Sequence, residues 1–203
     1  MHVTIRKYAG KGALIDKLVP PVRDGFVPLL KRAPGFKGYC GFASEDGHVV
    51  TVSVFDDRSS ADAANEQARG WVASNLRDLV SDPPEVIAGE VLLHDLSKLR
   101  GGGAEMFAAV RRYEGITSVE EATRLTREHI MPVLSGAPGF RGYYAISDER
   151  DPSRAVSVTL FDTRENAMAA QGKVLPLARE VKIAPSPPTI MTGRVVLAAS
   201  AEG

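Results

Sequence analysis

The chain has 203 residues, of which 44% are hydrophobic and 25% are charged, so it can bury an ordinary core in one large domain or two small ones. Lys plus Arg and Asp plus Glu each number 25, which removes the positive excess that drives binding to nucleic acid or anionic lipid. The single cysteine, Cys40, excludes an internal disulfide and a thiolate metal cluster. No apolar run suits a signal peptide or a membrane span, so we expect a cytoplasmic protein with neither nucleic acid nor membrane as partner.

The sequence contains an internal repeat. The segment APGFKGY at residues 33–39 recurs as APGFRGY at residues 137–143, with a single Lys-to-Arg difference. Other segments align in the same order: 6–10 with 111–115, 26–30 with 130–134, 50–58 with 156–164, 83–84 with 187–188, and 89–93 with 193–197. We therefore divide the chain into repeat 1 (residues 1–97), a glycine-rich linker (98–104) and repeat 2 (105–203).

Each repeat opens with a short run that mixes β-branched, aromatic and basic residues. These runs predict a first strand at 2–8 and at 106–113. In repeat 2, Ser118 and Glu121 form a capping-box pattern ahead of apolar residues at helical spacing. The pattern predicts a helix after the first strand.

Prolines and glycines mark the end of this helix. Pro28 and Pro132 are expected to kink it or to end its regular part, because proline lacks the N–H that a helix interior needs. The Ala-Pro-Gly-Phe motif then turns the chain into the second strand. We expect Gly35 and Gly139 to adopt a positive φ in this turn.

The remaining elements follow in the same order in both repeats. Asp46-Gly47 predicts a tight hairpin turn of the primed type, and residues 148–153 predict a longer loop at the matching point. Val50, Val52 and Val54 alternate with Thr and Ser and should share one sheet face. The predicted pairs are second strands containing 39–42 and 143–146, third strands at 50–55 and 156–161, second helices at 59–80 and 164–181, and last strands at 86–93 and 190–198.

The order β-α-β-β-α-β, twice, is the ferredoxin-like arrangement, with both helices on one face of an antiparallel sheet. The other sheet face needs cover, which an identical unit can supply. The predicted fold class is therefore α+β, with tandem ferredoxin-like units whose antiparallel sheets pair as an intramolecular dimeric α+β barrel. The chain would be an internal pseudo-dimer, and a further homodimer of fused chains is left open.

These features resemble a known superfamily. The helix-Pro-Gly-Phe-x-Gly-Tyr turn, the Val/Thr-rich third strand ending in Phe-Asp, and the stretch from Trp71 to Leu76 are similar to the dimeric α+β barrel superfamily. The nearest resemblance is to its antibiotic biosynthesis monooxygenase (ABM) branch, with two units fused. The superfamily includes cofactor-free oxygenases acting on quinol-like or polyketide aromatics, haem-degrading enzymes and isomerases, so the resemblance implies fold more than chemistry.

Metal and cofactor chemistry find no support in the sequence. The haem-degrading branch is disfavoured because its Asn, Trp and His set does not appear at matching elements. The histidines fall in different elements without ligand spacing, so no metal site is expected: His2, His48, His94 and His129. No phosphate-binding loop is present, and we expect no cofactor.

The resemblance places a ligand cleft in each repeat between the sheet and its two helices. His129 is the candidate catalytic base, since a histidine in a partly dry cleft titrates near neutral pH; the alternative is a helix-surface histidine beside Glu128. Trp71 and Asn75 lie four residues apart, so one ring could stack on a flat ligand and one amide could bind it, although a tryptophan more often serves packing.

Three tyrosines of the second strands complete the candidate ligand-binding residues. Tyr39, Tyr143 and Tyr144 could donate hydrogen bonds to a carbonyl or phenolate, and Tyr144 faces away from Tyr143. Two functions remain open. One is a cofactor-independent monooxygenase, or a related enzyme, acting on a small aromatic or hydrophobic metabolite. The other is a non-catalytic small-molecule-binding or stress-associated protein. The enzyme requires a pocket of a few hundred Å³ lined by aromatic side chains.

Overall fold

The structure, a computed structural model, describes residues 1–99 and 105–201. The predicted linker at 98–104 thus lies outside the described residues from residue 100 on. The strands are β1 (His2–Tyr8), β2 (Phe36–Ala43), β3 (Val49–Phe55), β4 (Glu85–Asp95), β5 (Phe107–Tyr113), β6 (Phe140–Asp148), β7 (Asp151–Phe161) and β8 (Thr189–Ser200). The α-helices are α1 (Ile15–Pro21), α2 (Val27–Arg32), α3 (Arg58–Asn75), α4 (Val119–Leu125), α5 (Met131–Ser135) and α6 (Arg164–Glu180).

Each repeat has the predicted β-α-β-β-α-β order, with its first helix widened in the middle. A π turn joins α1 to α2 at Val22–Phe26, and another joins α4 to α5 at Thr126–Ile130. Pro28 and Pro132 follow these turns by two residues. Because a proline has no N–H to donate, it relaxes the regular bonding of the preceding turn. The prolines therefore interrupt the helix as the sequence predicted, and both repeats share the interruption.

The strands form one hydrogen-bonded ring. The order is β1-β3-β2-β8-β5-β7-β6-β4, all pairs are antiparallel, and the ring closes because β4 also pairs with β1. This closed eight-stranded barrel confirms the predicted fold class of two ferredoxin-like units in a fused dimeric α+β barrel.

The chain forms two compact units, and each exchanges a strand end with the other repeat. Unit 1 comprises residues 1–90 together with the stretch from Val195 on, and unit 2 the described residues between Val91 and Arg194. In unit 1, β8 from Val195 on pairs with β2. In unit 2, β4 from Val91 on pairs with β6. Each unit is therefore completed by a strand end that belongs, in sequence, to the other repeat.

The third strand of repeat 1 shows which sheet face meets the helices. Phe55 packs in a cluster with helix residues such as Leu30 and Ala61. The valines that alternate with these helix-facing positions are buried on the opposite face, as their shared spacing predicted: Val50, Val52 and Val54. The helix-facing positions of this strand are Thr51, Ser53 and Phe55, so this side carries both polar and apolar residues.

The Pro-Gly turns are as the sequence predicted. Gly35 has a φ of 71° and Gly139 a φ of 72°. The carbonyl of Gly35 accepts from the Asp56 N–H at 2.7 Å, and that of Gly139 accepts from the Asp162 N–H at 2.9 Å. Each turn is thereby tied to the end of the third strand of its repeat.

The two hairpin predictions were wrong in length. In repeat 1 the loop spans residues 44–48, and of Asp46 and Gly47 only Gly47 has a positive φ, so the turn is not the two-residue primed type. The Ser44 N–H donates to the His48 carbonyl at 2.8 Å, which closes this wider loop. In repeat 2 the predicted long loop is mostly strand, because β6 continues to Asp148 and β7 begins at Asp151.

The second helix of repeat 1 ends earlier than the predicted residue 80. α3 stops at Asn75, and Leu76 leaves the helical conformation with a φ of −124°. Leu76 is buried in a cluster with Leu18 and Val49, so tertiary packing ends the helix. The Asn75 side-chain amide donates to the Trp71 carbonyl at 2.8 Å and satisfies one carbonyl of the last turn.

Candidate functional site

Unit 1 contains a cavity of about 470 Å³, here called cavity 1, between its sheet and its helices. Its apolar wall comes from the first helix, from α3 and from the turn after α3: Leu18, Val22, Phe26, Trp71, Val72 and Leu76. Val196 and Leu197 of β8 also line it, so the strand end supplied by repeat 2 is part of the cavity. The volume lies within the range of ordinary small-molecule sites.

Three aromatic rings stand in sequence along one wall of cavity 1. The Phe26 and Trp71 ring centroids are 5.3 Å apart with planes tilted by 37°. The Phe26 and Tyr39 rings meet edge to face at 5.8 Å. Offset and edge contacts of this kind hold rings firmly, which leaves rigid π faces for a flat ligand.

The position of Trp71 depends on a glycine. A Cβ added to Gly25 would lie 2.9 Å from Cζ2 of Trp71, so a larger residue would force the indole to move. The corresponding position of repeat 2 is the exposed His129, and counting from the helix N-caps makes Leu177 the counterpart of Trp71. Repeat 1 therefore has glycine at this position because the Trp71 indole packs against it.

The charged residue inside cavity 1 is Arg6 of β1. Its Nη1 donates to Ser53 Oγ at 3.1 Å, and its Nη2 donates to Asn65 Oδ1. Asn65 is held in turn, since its Nδ2 donates to Thr4 Oγ1 at 3.3 Å. Burial lowers the pKa of Arg6, but a guanidinium starts so high that it stays cationic.

No carboxylate of the described residues forms an ion pair with Arg6, whose hydrogen bonds go to a hydroxyl and an amide. A partly buried cation held only by neutral groups keeps most of its charge available to a ligand. An anionic oxygen in cavity 1 would gain from this charge.

Two tyrosines beside Arg6 stay protonated at ordinary pH. Burial raises the pKa of Tyr8, and burial raises the pKa of Tyr39 further. Tyr39 also hydrogen-bonds with Thr51. Both phenols line cavity 1 as neutral groups, so they can donate hydrogen bonds and are poor bases.

Unit 2 has a counterpart at the same place in the fold, cavity 2, of only about 50 Å³. Arg111 lines it and repeats the Arg6 arrangement, donating to Thr159 Oγ1 at 2.6 Å and to Gln171 Oε1 at 3.0 Å. Arg111 is only 2% exposed. The arginine and its neutral partners are thus common to both repeats, while an open cavity is found beside only one of them in the described structure.

Larger side chains account for the loss of volume in cavity 2. Strand register and helix caps place Ala145 where repeat 1 has Gly41, and Val174 where it has Ala68. Ile116 corresponds to Gly12, since the Gly12 N–H donates to the Gly47 carbonyl and the Ile116 N–H donates to the Ser153 carbonyl at the start of β7. Ala145 and Val174 line cavity 2 and add methyl groups where Gly41 and Ala68 line cavity 1, and Ile116 also lines cavity 2.

The residues predicted from the sequence are distributed as follows. Trp71 and Tyr39 line cavity 1, and Tyr143 lines cavity 2. Tyr144 is buried, but it lies on the other face of β6 and lines neither cavity. Asn75 is exposed and bonds to the helix carbonyl rather than facing the cavity, and His129 is exposed on the π turn and lines neither cavity.

Sequence reasoning missed Arg6 and Arg111. The signal was present, because Arg and Tyr stand two residues apart at the start of both repeats, at Arg6 and Tyr8 and again at Arg111 and Tyr113. Residues two apart on a strand share a face. A basic and an aromatic residue kept together on the helix-facing side of both copies is a site pattern that can be recognised without a structure.

Residues 1–99 and 105–201 contain neither a metal-ligating cluster nor a membrane-spanning helix. No cluster of three or more His, Cys, Asp or Glu side chains in this part of the chain could hold a metal ion. Among the helices described here, none is long and apolar enough to cross a membrane.

Comparison with known proteins extends the fold assignment. No protein-family model and no curated protein matches the sequence. Among solved structures, a "putative monooxygenase" of Fusobacterium nucleatum superimposes with a TM-score of 0.78 at 10% identity, over 98% of this chain and 94% of that one.

Two further structures cover nearly the whole chain. An "anthrone oxidase-like protein" gives a TM-score of 0.63 at 13% identity, over 100% of this chain and 94% of that one. A "putative monooxygenase" of Lactobacillus acidophilus gives 0.66 at 10% identity, over 98% and 96%. At such low identity the likeness is one of fold. The chain therefore has the fused dimeric α+β barrel fold, in the form found in structures described as monooxygenases.

Proposed function

We propose that unit 1 binds a flat, mostly apolar metabolite with an acidic oxygen or C–H group, and that the protein oxidises this ligand with molecular oxygen and no cofactor. The observation that carries the proposal is Arg6, a cation without a carboxylate partner among the described residues, beside the aromatic wall of cavity 1. The fold likeness to structures described as monooxygenases supports the choice of reaction.

Size supports a tricyclic aromatic ligand in unit 1. Cavity 1, at about 470 Å³, can enclose a flat molecule of drug-like size. Cavity 2, at about 50 Å³, has room for little more than one or two water molecules. We assign ligand binding to unit 1 alone, and structural support to unit 2.

The proposed chemistry uses an acidic CH₂ group next to a conjugated carbonyl, as in an anthrone. Loss of one proton to water gives an anion whose charge lies mainly on the carbonyl oxygen, and Arg6 stabilises it there. The anion reduces O₂ and combines with it to form a hydroperoxide on the same carbon. Loss of water then leaves a second carbonyl, so CH₂ plus O₂ becomes C=O plus H₂O and no other reductant is needed.

The tyrosines and the aromatic wall would position the substrate in this scheme. Tyr8 and Tyr39 remain protonated and can donate to an oxygen of the ligand. Trp71 and Phe26 would hold its ring plane and exclude water. A dry site strengthens the interaction of the anion with Arg6, since less solvent screens it.

The test is oxygen uptake with anthrone as the substrate, measured with an electrode, while the absorbance of anthraquinone reports the product. We expect consumption of one O₂ per anthraquinone, at a rate unchanged by a chelator. Arg6→Met keeps an unbranched side chain and removes the guanidinium with its charge, and it should lower the rate by at least about tenfold. The control is Arg127→Met, which removes an exposed arginine that lines neither cavity.

One observation favours the alternative of a non-catalytic binding protein. Cavity 1 has no imidazole among its described lining residues, and its one carboxylate, Asp82, is exposed. A substrate would have to lose its proton to solvent. Tight binding of anthraquinone without any protein-dependent uptake of oxygen by anthrone would establish the binding function and reject the oxygenase.

His129 can be tested in the same assay. The sequence suggested it as a general base, and the structure places it on an exposed turn of repeat 2. If His129→Ala lowered the rate as much as Arg6→Met does, the reaction would have to take place in unit 2, and the assignment to cavity 1 would be wrong.

A further inference from the structure

The charged residues that line cavity 1 are mostly cations. Arg6, Arg69, Arg77 and Asp82 carry charge. Arg69, Arg77 and Asp82 are exposed, whereas Arg6 is partly buried, so three charges stand at the solvent side and one cation stands inside. Cavity 1 therefore has one partly buried cation, Arg6, and two further arginines at its solvent-exposed side.

The charges at the solvent side are not equally available. Arg69 pairs with Glu66 on the outer surface of α3. Asp82 pairs with Lys11, with the carboxylate oxygen 3.7 Å from Nζ. Within the described residues Arg77 has no hydrogen-bond or ion-pair partner. Arg77 is thus the cation most free to meet a ligand.

Repeat 2 lacks these arginines. The N-caps of the long helices, Asp57 and Thr163, fix the correspondence between α3 and α6. Counting from them, Leu175 replaces Arg69. Of the segment that follows α6, only Ile183 lines cavity 2, so no cation there matches Arg77. Repeat 2 keeps the inner arginine, as Arg111 beside the small cavity 2, but it has no counterpart of Arg69 or Arg77 there. The two outer arginines are therefore linked to the open cavity 1 and are not a general feature of the fold.

We propose that the ligand of unit 1 carries a solvent-facing carboxylate in addition to the oxygen that meets Arg6, and that Arg77 binds this carboxylate with a smaller contribution from Arg69. The proposal rests on the proposed function, because it assumes that cavity 1 holds a flat aromatic ligand. It narrows the substrate class to aromatic acids about three rings long. A guanidinium suits this role, since its planar fork matches a carboxylate and it stays charged at all relevant pH values.

Trp71 provides a direct readout, because it is the only tryptophan of the sequence and it lines cavity 1. The probes are anthraquinone-2-carboxylate and anthraquinone-2-carboxamide, which have the same rings and differ in charge. Each is titrated against the full-length protein, and the quenching of Trp71 fluorescence gives the dissociation constant. The carboxylate should bind roughly tenfold more tightly than the carboxamide.

Three variants test where the difference arises. Arg77→Met should remove most of the roughly tenfold preference by weakening the carboxylate and leaving the carboxamide unchanged. Arg69→Met should act in the same direction by a smaller factor, since Glu66 already offsets its charge. Arg127→Met removes the same net charge from an exposed site that lines neither cavity, and should change neither constant. Raising the salt concentration to about 0.5 M should reduce the preference, because exposed charges are then screened within a few Å.

The outcomes separate this inference from the proposed function. Equal binding of the two probes, or an equal loss of both in Arg77→Met, overturns the carboxylate and leaves ligand binding by cavity 1 intact. Absence of quenching by either probe overturns both proposals. Because Arg69 and Arg77 are exposed, these substitutions should leave the melting temperature unchanged, and that measurement accompanies each titration.

Discussion

Units 1 and 2 share their strand order, their widened helix and their inner arginine, yet cavity 1 measures about 470 Å³ and cavity 2 about 50 Å³. The difference follows from a few side chains on a common backbone. Gly41 and Ala68 leave space in unit 1, and the larger Ala145 and Val174 fill it in unit 2. A duplicated unit can thus keep its packing in both copies while one copy specialises in binding.

Substitutions in the two Pro-Gly turns should affect stability differently in the two units, and here we expect the largest effect. A Cβ at Gly139 would overlap Asp162 and Asn166, whereas at Gly35 the nearest atom is Ser60 Oγ at 2.8 Å. Gly139→Ala should cost about 3 kcal/mol in the free energy of unfolding, from the positive φ and from the loss of the hydrogen bond between Asn166 and Asp162. Gly35→Ala should cost about 2 kcal/mol.

Gly47→Ala is the matched control for these variants. Gly47 has a φ of 89° and open space where its Cβ would stand, so only the backbone term of about 1 kcal/mol applies. Denaturant unfolding measures all three. Equal losses for Gly47→Ala and Gly139→Ala would show that the crowding around Gly139 contributes nothing.

Exchanging one cavity residue between the repeats sharpens the comparison. Ala68→Val gives unit 1 the residue of unit 2, and should weaken binding of anthraquinone-2-carboxylate by roughly tenfold while leaving stability unchanged. Val174→Ala makes the reverse change at a buried position, and should cost about 2 kcal/mol of stability through lost burial and a larger void. Calorimetric titration and thermal unfolding of both variants provide the measurements. A Val174→Ala protein as stable as the wild type would show that unit 2 is loosely packed.

Much of the fold could be predicted from the sequence because its signals are local. The repeated Ala-Pro-Gly-Phe segment, the capping box at Ser118 and the alternation along the third strand each determine nearby backbone. The strand ends exchanged at Val91 and Val195 have no local signal, since pairing of distant strands depends on the assembled sheet.

The candidate site was harder to predict, because it depends on side-chain volume and on which helix face is buried. Trp71 and Tyr39 were found from residue type, and both line cavity 1. His129 is a candidate because histidine is a common general base, but the buried residues of its π turn are Thr126 and Ile130, and His129 itself is exposed. Charged residues on a strand are usually on the surface, which hid the role of Arg6.

The dependence of stability on alkaline pH should be the same in both units, and it is the smallest effect that we expect. Burial raises the pKa values of Tyr39 and Tyr143 alike. The unfolded chain releases these protons from about pH 10 upward while the folded chain holds them, so the free energy of unfolding should fall as pH rises above about 10. Stability from this source is fully present below that pH.

Tyr39→Phe and Tyr143→Phe should each flatten this alkaline decline, by at most about 1.4 kcal/mol per pH unit. Cys40, whose pKa burial raises to about 12, contributes the same decline to the wild type and to both variants. Denaturant unfolding between about pH 9 and about pH 11.5 measures the slopes. A flatter slope in only one variant would mean that the two tyrosines are not equally shielded from solvent.

The central claim is that one unit of this pseudo-symmetric chain binds a ligand and the other does not. The most direct test is calorimetric titration of anthraquinone-2-carboxylate, combined with the fluorescence of Trp71, the single tryptophan. We predict one molecule bound per chain, with quenching of Trp71 that saturates at the same ratio and is weakened by Ala68→Val. Two molecules per chain, or one molecule that leaves Trp71 fluorescence unchanged, would contradict the assignment of the site to unit 1.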